Sequence, residues 1–340
     1  MTSTPPPDAD TDAADTRPWT QDPWDQLRDD EPTDVDGMIP DLRQYSRPIL
    51  VGLATIALVF IGWAGWQVRN LASQASVDDL TSAPSGNEVV EVEVVFPEGF
   101  TVRQIMSRLE RDAPGLSVAD LEAALAANSL PAPFRPEGIT SYEGLLFPAL
   151  YRVASYETEA DVLSRMIEEL RARVLANDIE AAAQRLGRTP YELIIIASLI
   201  EKEVKIAEER ALVSRVIHNR LAMEMELQID AALYYNAPEG ATFADLKAAD
   251  TAYNVYLRKG LPPTPIASPG EAALIAAMNP AENPAKDDPL CTVRNKKEKA
   301  DECRLLFYVL SDAEGRHAFS TTYRLHELNV AAAAAAGILP

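Results

Sequence analysis

Two glutamates close an otherwise apolar run, IIIASLIEKEVKIAEER at residues 194–210, and they are the first candidates for chemistry in this chain. A carboxyl group seated among aliphatic side chains has its charged form disfavoured and its pKa raised, which is what a general acid needs near neutral pH. At about 100° per residue, Glu201 shares a helical face with Ile194, Ala197 and Val204, while Glu203 falls opposite, in line with Glu192 and Arg210. The spacing therefore selects Glu201 as the candidate acid and leaves Glu203 and Lys202 on an outer, solvated or ion-paired face. The plainer alternative is an i,i+4 bridge from Glu201 to Lys205 on a helix that emerges from the core.

Downstream, ERALVSRVIHNRLAMEMELQID delivers Asn219, Arg220, Gln228 and Asp230 in close succession, and TAYNVYLRKGLPPTPIASPG adds Tyr253 and Asn254 beside a rigid Pro-rich loop. Amides, carboxylates and aromatic rings of this kind suit sugar hydroxyls and acetamido groups. Asp230 also reads as a helix cap, and Glu143 in YEGLLFP reads as structural. His317 and His326 read as packing or hydrogen-bond bridges, because a lone histidine beside Phe319 is more often that than a catalyst.

The elements that must position these groups are legible from periodicity and caps. Thr189, Pro190 and Glu192 mark a capping box and a helix start for the segment that carries the two glutamates. Val90, Val92, Val94 and Phe96 alternate with Glu91 and Glu93 as a half-buried strand, and Thr101 opens a helix with Val102, Ile105, Met106 and Leu109 on one face. A helix over SVADLEAALAAN follows. Val162, Leu163, Met166, Ile167, Leu170 and Val174 predict a scaffold helix, and Val213, Val216, Ile217 and Leu221 the buried side of another. The fold class expected is α+β, with a small α+β unit over residues 89–155 and a mixed α/β domain over 156–335.

A formal charge of -21 argues against nucleic acid or an anionic membrane surface as partner. Residues 1–47 hold twelve Asp or Glu against four Arg and read as a disordered tail. Residues 48–68 form an uncharged run, about 30 Å as a helix and long enough to span a bilayer, and 69–88 read as a linker. Arg43 and Arg47 before the run, against Arg69 after it, favour a cytoplasmic tail and an external remainder. Cys291 and Cys303 are the only cysteines. Outside the cytoplasm a disulfide is their natural use; two unpaired thiols in a solvated loop is the alternative.

The motifs ASLIEKE, NRL, LQID, AYN, GLPPTPI, SPG and HAFSTTYRLHELN resemble those of the YceG-like endolytic murein transglycosylases over roughly residues 90–330. That resemblance implies a LysM-like first module over 89–155 and a single-pass anchor in the inner, cytoplasmic membrane. It also implies a catalytic domain that cuts nascent peptidoglycan strands between N-acetylmuramic acid and N-acetylglucosamine without water, leaving 1,6-anhydro ends. It assigns the acid and subsequent base to the first glutamate of its ASxxEKE motif, Glu201, and its LQxD motif favours Asp230 for binding or orientation; Asn219, Gln228, Tyr253 and Asn254 join Asp230 as candidate substrate binders on side-chain chemistry. Peptidoglycan strands, the membrane and cell-wall synthases are the implied partners; no cofactor or metal is implied. Departures are LQIDAA where the family has LQTDPT and FPALY where it has FPDTY. A hydrolytic muramidase using Asp230 or Glu143 as second carboxylate, and a silent membrane-anchored scaffold, are the competing expectations.

Overall fold

The computed structural model describes residues 89–113, 115–291 and 303–339. The acidic tail, the apolar run at 48–68 and the linker lie outside them; among the described residues no helix is long and apolar enough to cross a membrane. Strand β1 (Glu91–Val95) leads into α1 (Val102–Asp112) and α2 (Val118–Ala126), and β2 (Leu150–Ala154) returns beside β1. The pairing is antiparallel, with Val94 opposite Tyr151 and Glu93 opposite Arg152, whose side chains form a 3.0 Å ion pair. In β2 Tyr151 and Val153 face inward while Arg152 and also Leu150 are exposed, so the apolar pattern of LYRVA alone does not announce a strand.

The remaining elements are α3 (Glu159–Ala176), α4 (Ile179–Leu186), α5 (Pro190–Glu203), α6 (Arg210–Ala222), α7 (Asp230–Tyr234), α8 (Phe243–Ala248) and α9 (Glu271–Met278). They end in the antiparallel pair β3 (Phe307–Leu310) and β4 (His317–Ser320), then α10 (Tyr323–Ala335). The class is α+β. The expectation of a mixed α/β domain over 156–335 is corrected: that region is helical apart from one short antiparallel pair, on which α10 packs, and its other helices pack mainly on one another.

One apolar core runs from Val94 in β1 to Met278 in α9, continuous across residue 155. All six predicted α3 side chains, Val162 to Val174, are in it. At its centre is α5, begun by the capping box of Thr189 and Glu192 with bonds of 2.7 and 3.2 Å. Tyr191 and every residue from Leu193 to Ile200 are buried, so α5 is covered on all sides. Ser198 in its middle donates to Ile195 O at 2.7 Å and accepts from Ile266 N at 3.1 Å, which fastens the Pro-rich loop to the helix.

That loop also packs on the segment carrying Glu143. Gly144 has φ +74°, and a Cβ there would sit 2.4 Å from Pro265 Cβ. Gly144→Ala combines a left-handed backbone penalty with overpacking against a rigid ring, and should destabilise by about 2–4 kcal/mol in a urea titration. Cys291 and Cys303 form a disulfide, Cα to Cα 5.6 Å, across a segment outside the described residues.

Candidate active site

Because α5 is buried all round, its two glutamates are not separated into a dry and a wet face. Glu203, the last residue of α5, reaches into a cavity of about 770 Å³ that Gln228, Asp230, Tyr256, Tyr308 and His317 also line. A second cavity of about 230 Å³ meets it at Glu203 and His317. The expectation of an outer, solvated Glu203 is thereby corrected: β3 and α7 cover the side that helical counting assigns to solvent. Tyr308 O–H donates to Glu203 Oε2 at 3.1 Å and Ala231 N–H approaches Oε1 at 3.4 Å.

Burial is the main cause of a raised Glu203 pKa, and the nearby Asp230 carboxylate adds to it, while the Ala231 and Tyr308 donors and His317 oppose it. The negative end of the α5 dipole acts in the same direction as burial. The result is a carboxyl group held toward its protonated form, with an opening to a cleft and two donors ready for the anion.

Behind it, Glu209 accepts from His317 N at 3.0 and 3.2 Å and pairs with His317 Nδ1 at 2.7 Å. The ring of His317 lies edge-on to Tyr308, centroids 5.3 Å apart. His317 thus buttresses the tyrosine that holds Glu203. This is the hydrogen-bond bridge read from the sequence, but its partner, Glu209, lies 108 residues away and shows no local signal. His326 stacks on Phe307 at 5.1 Å, and burial pushes its pKa down to about 4, as expected for packing.

Glu201 lies elsewhere. It lines none of the three cavities described here; its Oε2 accepts Gly270 N–H at 3.1 Å, at the start of α9. Its pKa is also raised, by burial first and by the exposed Glu98 carboxylate, with the Gly270 bond opposing. Glu98 packs so closely over Gly270 that a Cβ there would meet its carboxylate at 1.9 Å. The Glu201–Lys205 bridge is absent from the ion pairs among the described residues.

Of the other predicted binders, Gln228 and Asp230 face the Glu203 cavity, and Tyr256 donates a short hydrogen bond to Asp230. Two are corrected, and Tyr253 lies outside the lining of that cavity. Asn219 is buried and donates to Asn283 Oδ1 at 2.7 Å and Leu305 O at 2.8 Å, so its amide closes the fold. Asn254, wholly buried, donates to the carbonyls of Leu246, Lys247 and Ala249 and accepts from the N–H groups of Tyr256 and Leu257. Tyr253 bonds Thr264 at 2.8 Å and packs on Tyr235. Their spacing in the sequence is that of loop staples as much as of ligands.

Glu143 occupies a separate cavity of about 570 Å³ with Arg103, Lys202 and Tyr234. It accepts from Val102 N at 3.1 Å and Tyr235 O–H at 3.0 Å, tying α1 to α7, and burial pushes its pKa up to about 7.

Fold and site together define an α+β protein with a carboxyl-centred cleft at the end of a buried helix. The chain belongs to the YceG-like family, whose sequence profile matches residues 68–288. It is 27% identical over 302 residues to an endolytic murein transglycosylase of Streptococcus pneumoniae, covering 77% of this chain and 49% of that protein. It is 28% identical over 229 residues to one of Bacillus subtilis, covering 62% of each. The chain spans about half the length of the pneumococcal relative. The crystal structure of a putative YceG-like protein from Listeria monocytogenes shares the fold, with a TM-score of 0.56 at 23% identity over 74% of this chain and 78% of that one.

Proposed function

We propose that this chain is a lytic transglycosylase that cuts peptidoglycan strands, with Glu203 rather than Glu201 as its acid and base. The observation that carries this is the placement of Glu203: a carboxyl group with a raised pKa, opening on a cavity of about 770 Å³ that also presents Gln228 and Asp230. The names of the relatives support the substrate class.

In this reading Glu203 gives its proton to the glycosidic oxygen between N-acetylmuramic acid and N-acetylglucosamine. The carboxylate left behind is held by the Tyr308 and Ala231 donors, then takes the proton of the muramyl C6 hydroxyl as that oxygen closes on C1. The nucleophile belongs to the substrate, so no second carboxylate has to activate water. Asp230, exposed beside Tyr256, keeps a hydrolytic route in view, because it lines the same cavity as Glu203. Product mass separates the two: transglycosylation leaves 1,6-anhydro ends, hydrolysis leaves ends heavier by one water.

Residues 48–68 would anchor the chain in the cytoplasmic membrane with the described residues outside, a compartment that the Cys291–Cys303 disulfide suits.

Tyr308→Phe removes a donor that stabilises the Glu203 anion. The Glu203 pKa should therefore rise further, and the limb of the kcat/KM profile that reports loss of its proton should move to higher pH. An unmoved limb would place the titration on another group.

A further inference from the structure

Aromatic rings continue outward from the mouth of the Glu203 cavity. Tyr256, bonded to Asp230 inside it, meets Phe243 edge-on with centroids 6.3 Å apart. Phe243 in turn lies nearly parallel to Tyr234, 6.5 Å apart with 22° between the planes. Tyr234 lines the Glu143 cavity, so three rings bridge the two cavities. Phe243 is 39% exposed and Tyr234 53%, although both could lose apolar area to the core if packing were their only role.

The mount beneath these rings is rigid. Phe243 opens α8, whose first turn is fixed by the capping box of Thr242 and Asp245 and whose last turn is stapled by the Asn254 amide. Lys247 on the same helix holds its ammonium over the Tyr256 ring, 4.6 Å from the centroid, and 6.0 Å from the centroid of Phe243, placing a donor beside the rings on one side and leaving their other faces for a ligand. Flat rings with little conformational freedom next to one adaptable donor are the parts of a preorganised binding surface.

We propose that Tyr256, Phe243 and Tyr234 form a stacking track for the pyranose rings of a glycan strand, leading from the bond held at Glu203 toward the Glu143 cavity. The inference rests on the function proposed above, which supplies the strand. Pyranose C–H faces carry partial positive charge and match the negative face of an aromatic ring, while hydroxyl and acetamido groups at the sugar edges are left for Lys247. A polymer cut within its length needs support beyond the two sugars at the bond, and the track begins where the cleft ends.

The test uses the full chain carrying Glu203→Gln and purified, uncrosslinked glycan strands, with binding followed by calorimetry. Adding Tyr234→Ala and Phe243→Ala should weaken binding at least about tenfold. Tyr234→Leu with Phe243→Leu, which keeps apolar area and removes the flat rings, should weaken it nearly as much. Tyr156→Ala, an equivalent loss at a tyrosine 72% exposed elsewhere, should change nothing. Undiminished affinity in both double variants, or an equal loss in Tyr156→Ala, would overturn the track. If the wild-type chain cleaves strands while the double variants bind normally, only the track falls; if the wild-type chain neither binds nor cleaves them, the functional reading falls with it.

Discussion

Glu203→Gln should leave a folded protein whose cleavage of glycan strands is reduced by about 10²–10⁴, the range that a positioned general acid contributes. The substitution is nearly isosteric. The glutamine oxygen can still accept from Ala231 N–H while its NH2 donates to the Tyr308 hydroxyl, so the packing of β3 and α7 against the end of α5 is preserved. The amide cannot donate a proton to a leaving oxygen or recover one from a hydroxyl. Stability should hold or rise slightly, because the ionised form that burial penalises no longer exists. Strand cleavage and a urea titration on the same preparation separate lost chemistry from lost fold.

The second large effect is on stability. Arg220, only 7% exposed, donates to Leu306 O at 2.7 Å, Leu227 O at 2.9 Å, Glu226 O at 3.1 Å and Gln228 Oε1 at 3.2 Å, with its guanidinium over the Phe307 ring. One side chain thus ties α6 to β3 and to the turn that presents Gln228. Arg220→Met fills similar volume but abandons several buried carbonyls, and should cost about 3–5 kcal/mol. Activity should fall with it, since Tyr308 and Gln228 lose their common mount. Arg220→Lys should recover little, because a single ammonium cannot span carbonyls arranged for a fork. The midpoint of denaturant unfolding checks the first statement, and strand cleavage below the transition checks the second.

Much of this fold is local and was open to reading along the chain. The Thr189 capping box, the α3 stripe and the Glu91–Val95 strand are set by neighbours within a few residues, and each appears where its pattern predicts it. The site is not local. The two glutamates of α5 were distinguished by helical face on the premise that one face meets water, and a helix buried on every side removes that premise. Which glutamate opens on a cavity is decided by Tyr308 and Ala231, 105 and 28 residues from Glu203. Asn219 and Asn254 show the converse limit, since an amide that satisfies loop carbonyls and one that greets a sugar have the same sequence signal.

The central claim is that Glu203 donates the proton and water takes no part. Purified glycan strands digested by the wild-type chain, by Glu203→Gln and by Glu201→Gln, with the products weighed by mass spectrometry, test it most directly. The account predicts 1,6-anhydro ends from the wild type, the same ends from Glu201→Gln at a rate within about tenfold, and no cleavage by Glu203→Gln beyond the residual level expected for loss of a general acid. Full activity in Glu203→Gln, silence in Glu201→Gln alone, or ends carrying an added water would contradict it.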